Sequence, residues 1–150
     1  MDEGDQVRRG DMEGKSGTTL LLHNVPHVSS ERVLLVGLGR ETDFSVKQFR
    51  EAVAASIRAV SATGAADAEL YLTSVDLDGR DVGWRAQQAA AIAQETAYRF
   101  ELMKSRKDPA KPALKRLAVA VTTRADMRAA EAGLARGVAL AEGVALAKDL

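Results

Sequence analysis

Two glycines follow a continuous apolar stretch and could approach a phosphate group. Gly37 and Gly39 come directly after the segment 32–36, and Arg40-Glu41-Thr42 follows them. In dinucleotide-binding folds, the backbone N–H groups of such a turn cradle phosphates and the next helix adds its dipole. Thr42 occupies the position of the third glycine in that motif, and a predicted strand already precedes this one. The segment 37–42 is therefore a candidate nucleotide site or, alternatively, a purely structural turn.

The basic cluster of the sequence lies in a loop between the second predicted helix and the last predicted strand. Its side chains could contact DNA, because Lys and Arg neutralise the backbone charge of nucleic acids. Pro109 and Pro112 hold the loop open, and no aromatic residue or recognition helix accompanies it. A DNA-contacting loop and an ordinary solvated loop over 104–116 both remain open. The cluster consists of Lys104, Arg106, Lys107, Lys111, Lys115 and Arg116.

The candidate metal ligands are two histidines and a group of carboxylates. His23 and His27 are the only histidines, and Pro26 places a turn between them. Two imidazoles without neighbouring carboxylates make an incomplete metal site, so a packing or surface role is the alternative. The carboxylates surround an Asp-Gly pair that by itself predicts a turn. Either these carboxylates form a cation site or the sequence there specifies only the turn. The carboxylates are Glu69, Asp76, Asp78 and Asp81.

Composition limits the classes of protein to which the chain can belong. It has 150 residues, 46% hydrophobic and 28% charged, which is typical of one soluble globular domain. Lys plus Arg and Asp plus Glu each number 21, so the neutral chain is a poor general binder of nucleic acid or anionic membranes. The lack of cysteine excludes disulfides and a thiol nucleophile and favours an intracellular protein. No apolar run approaches the roughly 18 residues of a membrane span, and the N-terminus lacks the apolar core of a signal peptide.

Hydrophobic periodicity predicts four strands and three helices that would position these candidates. The connection 26–31 is too short for a parallel crossover, so strands 18–25 and 32–38 should pair antiparallel. The continuous apolar run predicts that strand 32–38 is central and covered on both faces. This β-β-α-β-α-β-α order predicts the α/β class, with a sheet between helices on both faces. The remaining elements are strands over 68–75 and 114–122 and helices over 45–64, 81–104 and 124–150.

Each helix carries a signal for its ends or its packing. Ser45 and Gln48 have capping-box spacing, Gly64 is placed to end the first helix, and Thr123 to start the last. Glycine inside a helix costs about 1 kcal/mol relative to alanine, so a strip of small residues in the last helix predicts close packing. The predicted inner stripe of the second helix is Trp84, Ala91, Ile92, Tyr98 and Leu102. The small-residue strip is Ala129, Gly133, Gly137, Ala141 and Ala145.

Several separated stretches resemble one known family in the right order. They are Gly10-Asp-Met-Glu-Gly-Lys-Ser-Gly-Thr-Thr-Leu-Leu-Leu-His, then Ser30-Glu-Arg-Val-Leu-Leu-Val-Gly-Leu-Gly-Arg, then Trp84 with Tyr98-Arg-Phe, and finally Gly137-Val-Ala-Leu-Ala-Glu-Gly-Val-Ala-Leu-Ala-Lys-Asp-Leu. Together they are similar to the N-terminal domain of the leucyl (cytosol) aminopeptidases. The likeness runs from about residue 10 to the last residue.

The resemblance implies a three-layer α/β/α, macrodomain-like fold, with a mixed sheet and helices on both faces. It also implies a cytoplasmic parent enzyme that removes N-terminal residues, with leucine favoured, and assembles as a hexamer. The parent would use two divalent metals, zinc, manganese or magnesium, to activate water and polarise the scissile carbonyl. The family carries its catalytic and metal-binding groups in its C-terminal domain, in motifs such as Asn-Thr-Asp-Ala-Glu-Gly-Arg. That run does not occur here. No catalytic, cofactor-binding or metal-binding residue is therefore assigned in this chain, which we expect to be inactive alone.

The resemblance also divides the chain. Residues 1–17 form a polar segment, 18–123 a macrodomain-like accessory domain, and 124–150 a helix that leads to the catalytic domain. The expected partners are that catalytic domain and further copies of the parent, without a membrane. Weak DNA contact through 104–116 and nucleotide or ADP-ribose binding at 37–42, the latter an analogy from fold alone, are the alternative functions.

Two features at the ends of the chain depart from a complete domain. Family members usually carry another strand and helix ahead of the Gly10 segment, whereas only residues 1–9 precede it here. We therefore expect the sheet to keep an open edge. The last helix has no stop signal after Leu150, and we expect it to be cut rather than finished.

Overall fold

A computed structural model of the chain describes residues 13–103 and 114–149 and confirms the α/β class. Strands and helices alternate along the chain in the predicted order. The strands are β1 (Thr19–His23), β2 (Arg32–Val36), β3 (Asp67–Leu70) and β4 (Arg116–Val119). The helices are α1 (Val46–Thr63), α2 (Val82–Met103) and α3 (Arg124–Asp149).

The described strands form one antiparallel pair and one parallel pair. β1 and β2 pair antiparallel, as their short connection predicts, with Leu21 opposite Leu34. β3 and β4 pair parallel, with Ala68 opposite Leu117. Parallel and antiparallel pairing therefore both occur, as in the predicted mixed sheet. The hydrogen bonds of the described strands, however, form two sheets of two strands each. The prediction that 32–38 is a central strand is wrong for the described residues, because β2 bonds to β1 alone and is half-buried along its whole length.

The third strand is shorter than its pattern predicts. β3 ends at Leu70, whereas the apolar residues continue to 75. Tyr71 has helical backbone angles (φ −99°, ψ −5°), and a single 3₁₀ turn over Leu72–Ser74 follows. Thr73 in that turn is fully buried, and its hydroxyl donates to the Ala120 carbonyl at 2.9 Å. The side chain thus ties the turn to the end of β4, which replaces further strand pairing.

Helix α1 begins and ends where the sequence places its signals. Ser45 is the N-cap, although its hydroxyl bonds to the Gln48 side-chain oxygen rather than capping a backbone N–H. Gly64 ends the helix with φ +76°, the left-handed conformation that glycine adopts without strain. Phe49, Val53 and Ile57 are fully buried and form the centre of the main core with Leu70 and Leu77 of the neighbouring segments.

Helix α2 is described over Val82–Met103, against a prediction of 81–104, and only part of its predicted inner stripe, Trp84 and Ile92, packs against the core. The Asp81 carboxylate caps it by accepting from the Trp84 N–H at 2.8 Å. Trp84 packs against the core, 6.2 Å from Phe49 between ring centroids, as predicted. Tyr98 and Leu102, however, are 44% and 66% exposed, so their predicted core role is wrong. The small residues Ala86, Ala89, Ala90 and Ala93 are buried instead, together with Val82 and Arg85 near the start of the helix, because α2 contacts both α1 and α3 closely.

Helix α3 packs on α2 through two of the predicted small residues. Thr123 caps its start by accepting from the Asp126 N–H at 3.1 Å. A Cβ atom at Gly133 would lie inside the contact radius of the Gly83 carbonyl, and one at Gly137 inside that of the Gln87 carbonyl. The two backbones therefore approach as closely as hydrogen side chains allow, and the predicted close packing is confirmed at these positions.

Replacing Gly133 by alanine tests this contact, because helix propensity and steric clash change the free energy of unfolding in opposite directions. Helix propensity alone would make Gly133→Ala stabilising by about 1 kcal/mol. Because the added methyl group meets a backbone carbonyl that cannot rotate away, we expect a net loss of about 1–3 kcal/mol in the free energy of unfolding. Urea denaturation followed by circular dichroism measures it.

The matched control is Ala132→Gly, one residue away on the exposed side of the same helix. It should lower stability by about 1 kcal/mol through helix propensity alone. A Gly133→Ala variant more stable than the parent chain would contradict the packing argument.

Candidate functional site

The glycine turn after β2 uses its backbone groups to hold the preceding segment. The N–H of Gly37 donates to the Thr18 carbonyl at 2.7 Å, and the N–H of Gly39 donates to the Gly14 carbonyl at 2.9 Å. The Gly37 carbonyl accepts from the Gly17 N–H at 3.0 Å. These N–H groups are therefore occupied by protein carbonyls rather than aimed at a ligand. The contacts favour the structural interpretation of 37–42 over the nucleotide site.

The missing side chain at Gly37 has a steric reason. A Cβ there would collide with the carbonyl oxygen of Lys15 and with the Thr18 hydroxyl. The residues that follow, Glu41–Asp43, form one 3₁₀ turn rather than the start of a long helix, so no helix dipole backs the turn directly. Glycine is required at this position because two backbone segments touch.

We expect Gly37→Ala to destabilise the chain by about 1–3 kcal/mol, since the methyl group must displace a backbone carbonyl. A thermal melt followed by circular dichroism measures the loss. The control is Arg40→Ala, a change at an exposed position in the same turn. Its free energy of unfolding should stay within about 0.5 kcal/mol of that of the unsubstituted chain. Equal melting temperatures for the two variants would show that the turn does not need glycine.

The candidate metal ligands have local structural roles or lie on the surface. Asp81 caps α2, and Glu69 accepts a hydrogen bond from the Tyr71 hydroxyl at 2.9 Å. His23 and His27 are exposed, at the end of β1 and in the connection that follows. Over 13–103 and 114–149 there is no group of three or more His, Cys, Asp or Glu side chains placed to hold a metal ion. The described residues therefore do not fit a two-metal centre.

The Glu69 carboxylate raises the pKa of the Tyr71 phenol above its ordinary value. The main cause is the hydrogen bond from the phenol to Glu69, and the negative charge of Glu69 acts in the same direction. Both effects favour the protonated phenol over the phenolate. Tyr71 therefore reports directly on the charge of Glu69.

Removing that charge should lower the Tyr71 pKa. We expect Glu69→Gln to shift the alkaline titration of Tyr71 to lower pH, because the phenolate then faces no carboxylate. Absorbance of tyrosinate at high pH measures the shift in a Tyr98→Phe background, which leaves Tyr71 as the only tyrosine. An unchanged or higher titration midpoint in Glu69→Gln would contradict the hydrogen-bonded pair.

Much of the predicted basic loop lies outside the described residues. This applies to Lys104, Arg106, Lys107 and Lys111. Lys115 is exposed, and Arg116 forms an ion pair with Asp67 at 3.3 Å on the surface of the β3–β4 pair. An exposed pair of this kind contributes about 0–1 kcal/mol. The described part of the cluster thus neither favours nor excludes contact with nucleic acid.

A groove of about 650 Å³ between α1 and α2 is a concave feature that sequence reasoning missed. Ala54, Ile92 and Phe100 line it as half-buried residues, and Met103 as an exposed one. Its charged side chains include Glu95 and Arg99, which pair at 2.8 Å. No sequence pattern predicts this groove, because it depends on the distance between the apolar stripes of two helices, and only tertiary packing sets that distance. The other residues that line it are Arg50, Glu51, Arg58 and Thr96.

These features define an α/β domain in which a long C-terminal helix packs tightly on its neighbour. A family model described as the cytosol aminopeptidase family, N-terminal domain, matches residues 4–107. The chain belongs to this family as its N-terminal domain, which confirms the resemblance seen in the sequence.

The curated relatives that it matches are much longer than this chain. A probable cytosol aminopeptidase of Dechloromonas aromatica (strain RCB) is 46% identical over 146 residues, which cover 97% of this chain and 29% of that protein. A probable cytosol aminopeptidase of Chromobacterium violaceum is also 46% identical, over 97% of this chain and 28% of that protein. The chain therefore spans less than a third of the length of these relatives.

A solved structure supports the same fold. The bottromycin maturation enzyme BotP, solved in complex with Mn, has a TM-score of 0.68 and 29% sequence identity to this chain. The match covers 100% of this chain and 29% of BotP.

Among the helices over the described residues, none is both long and apolar enough to cross a membrane.

Proposed function

We propose that this chain is the non-catalytic accessory domain of a metal-dependent leucyl aminopeptidase. The observation that carries the proposal is the match of 4–107 to the N-terminal domain model of the cytosol aminopeptidase family. The relatives are named as probable aminopeptidases and extend well beyond the matched region. In this proposal the peptidase chemistry belongs to the catalytic domain of the parent protein, which corresponds to the region of the relatives beyond the match.

The parent would be a cytoplasmic exopeptidase that removes N-terminal residues, with leucine favoured, and works as a hexamer. It would use two divalent metals, manganese, zinc or magnesium, which activate water and polarise the scissile carbonyl. The Mn complex of BotP supports a metal requirement among related folds. Since the described residues here group no metal ligands, no step of that chemistry is assigned to them.

The role of the domain is to support assembly and to limit access to the catalytic domain through α3. Two properties of α3 support this role: it extends over Arg124–Asp149, and its glycines fix it against α2. A catalytic domain attached through this helix would take its position from a firmly packed element. The proposed partners are therefore that domain and further copies of the parent.

The proposal predicts that the isolated chain has no aminopeptidase activity. We expect no hydrolysis of leucine p-nitroanilide by the purified 150-residue chain with manganese, because it contributes no metal cluster over its described residues. Release of p-nitroaniline at 405 nm is the measurement.

The full-length probable cytosol aminopeptidase of Chromobacterium violaceum, assayed in parallel, is the positive control for the substrate and the metal. Turnover by the isolated chain that disappears with a chelator would overturn the proposal that the domain is non-catalytic.

A further inference from the structure

The groove between α1 and α2 has an apolar floor and charged side chains along its rim. Ala54, Ile92 and Phe100 are half-buried in the floor, and the groove has a volume of about 650 Å³. Ile92 also packs against the main core, so the floor is part of the folded body. Sites for small ligands have volumes of about 300–1,000 Å³ and are lined mainly by apolar side chains. The groove therefore has the size and the lining of a site for an apolar ligand.

Three of the five charged side chains that line the groove are held by neighbouring side chains. Arg99 and Glu95, one turn apart on α2, form an ion pair at 2.8 Å. Arg50 of α1 donates from its Nε to the Gln88 side-chain oxygen at 3.1 Å, which ties the two helices together beside the groove. The remaining two charged side chains have opposite signs, and the described residues place no ion of opposite charge against either of them.

These two side chains, Glu51 and Arg58, lie on one face of α1. The Glu51 carboxylate accepts a hydrogen bond at Oε2 from the neutral Ser16 hydroxyl at 3.1 Å, and its other oxygen is available to a cation. Arg58 is exposed and forms no ion pair with a carboxylate of the described residues. Positions 51 and 58 are two helical turns apart, so a rise of 1.5 Å per residue separates them by about 10 Å along the axis. The groove thus has a negative end and a positive end.

We propose that this groove binds a short, extended apolar peptide with free termini. The ammonium group of the peptide binds Glu51, its carboxylate binds the Arg58 guanidinium, and its apolar side chains cover the floor between them. An extended chain advances about 3.3–3.6 Å per residue, so about three residues span the two charges. The inference rests on the proposed function only for the source of such peptides, which a peptidase joined to this domain would take as substrates.

Titration of the ¹⁵N-labelled chain with trileucine tests the proposal by nuclear magnetic resonance. We expect the amide resonances of Ala54, Ile92 and Phe100 to shift and that of Gly133, where α2 meets α3, to stay in place. Acetylating the amino terminus or amidating the carboxyl terminus should each weaken binding by about two- to fivefold, the effect of losing one exposed ion pair. Decanoate, an apolar anion without an ammonium group, should bind more weakly than trileucine for the same reason.

Two neutral variants assign each peptide terminus to its side chain. Glu51→Gln should bind trileucine and its acetylated form equally well, while it still prefers the free carboxylate to the amide. Arg58→Gln should show the reverse pattern. A purely structural role of either side chain would instead weaken the binding of all these peptides alike. The matched control is Arg128→Gln, at an exposed position on α3, which should keep both preferences of the unsubstituted chain.

Three results would overturn the inference, and each can be obtained with the unsubstituted chain alone. They are groove resonances that do not shift at any soluble concentration of trileucine, equal affinities for trileucine and its blocked forms, and decanoate binding as tight as that of trileucine. Mass spectrometry of the peptide after the titration separates this question from the proposed function. Hydrolysed trileucine would contradict the non-catalytic role, whereas intact trileucine that does not bind contradicts only the peptide site.

Discussion

The backbone contact between α2 and α3 is the constraint on which the rest of this structure depends. At Gly133 and Gly137 the two helices are separated only by hydrogen side chains and carbonyl oxygens. Glycine weakens an isolated helix, and the chain accepts that cost at two positions one turn apart. This cost is offset by extended van der Waals contact between the two backbones, which does not depend on side-chain motion. It also explains why alanines, Ala86 and Ala90, are buried where α2 meets α3.

Around this contact a few polar side chains connect separate elements of the domain. Thr73 connects a 3₁₀ turn to the segment after β4, and Arg85 connects α2 to two earlier carbonyls. Every one of these bonds satisfies a buried donor, and over the described residues no buried side-chain nitrogen or oxygen lacks a partner. Such bonds add modest free energy individually, but breaking one is costly because the remaining group stays buried. They hold the 3₁₀ turn after β3 to the segment after β4 and to the first turns of α2.

Several of the candidate functional residues have structural roles in the described part of the chain. The residue types that could do chemistry are used locally: Asp81 caps a helix, Glu69 holds Tyr71, and the glycine turn holds residues 14–18. The family relationship provides the functional context, since the chain corresponds to the N-terminal domain of cytosol aminopeptidases.

The sequence by itself determined the class of fold, the order of the elements, the ends of α1 and the starts of α2 and α3, because caps, glycines and periodicity act over one or two helical turns. It also identified Gly133 and Gly137 as packing positions, and it carried the family resemblance. Tertiary structure decided which face of α2 is buried, where β3 stops, and that β2 bonds to one neighbour over the described residues. It also decided the groove between α1 and α2. The exposed Tyr98 shows the reason: hydrophobicity favours burial, but which residues are buried depends on how closely two helices approach, and backbone atoms of distant segments set that distance.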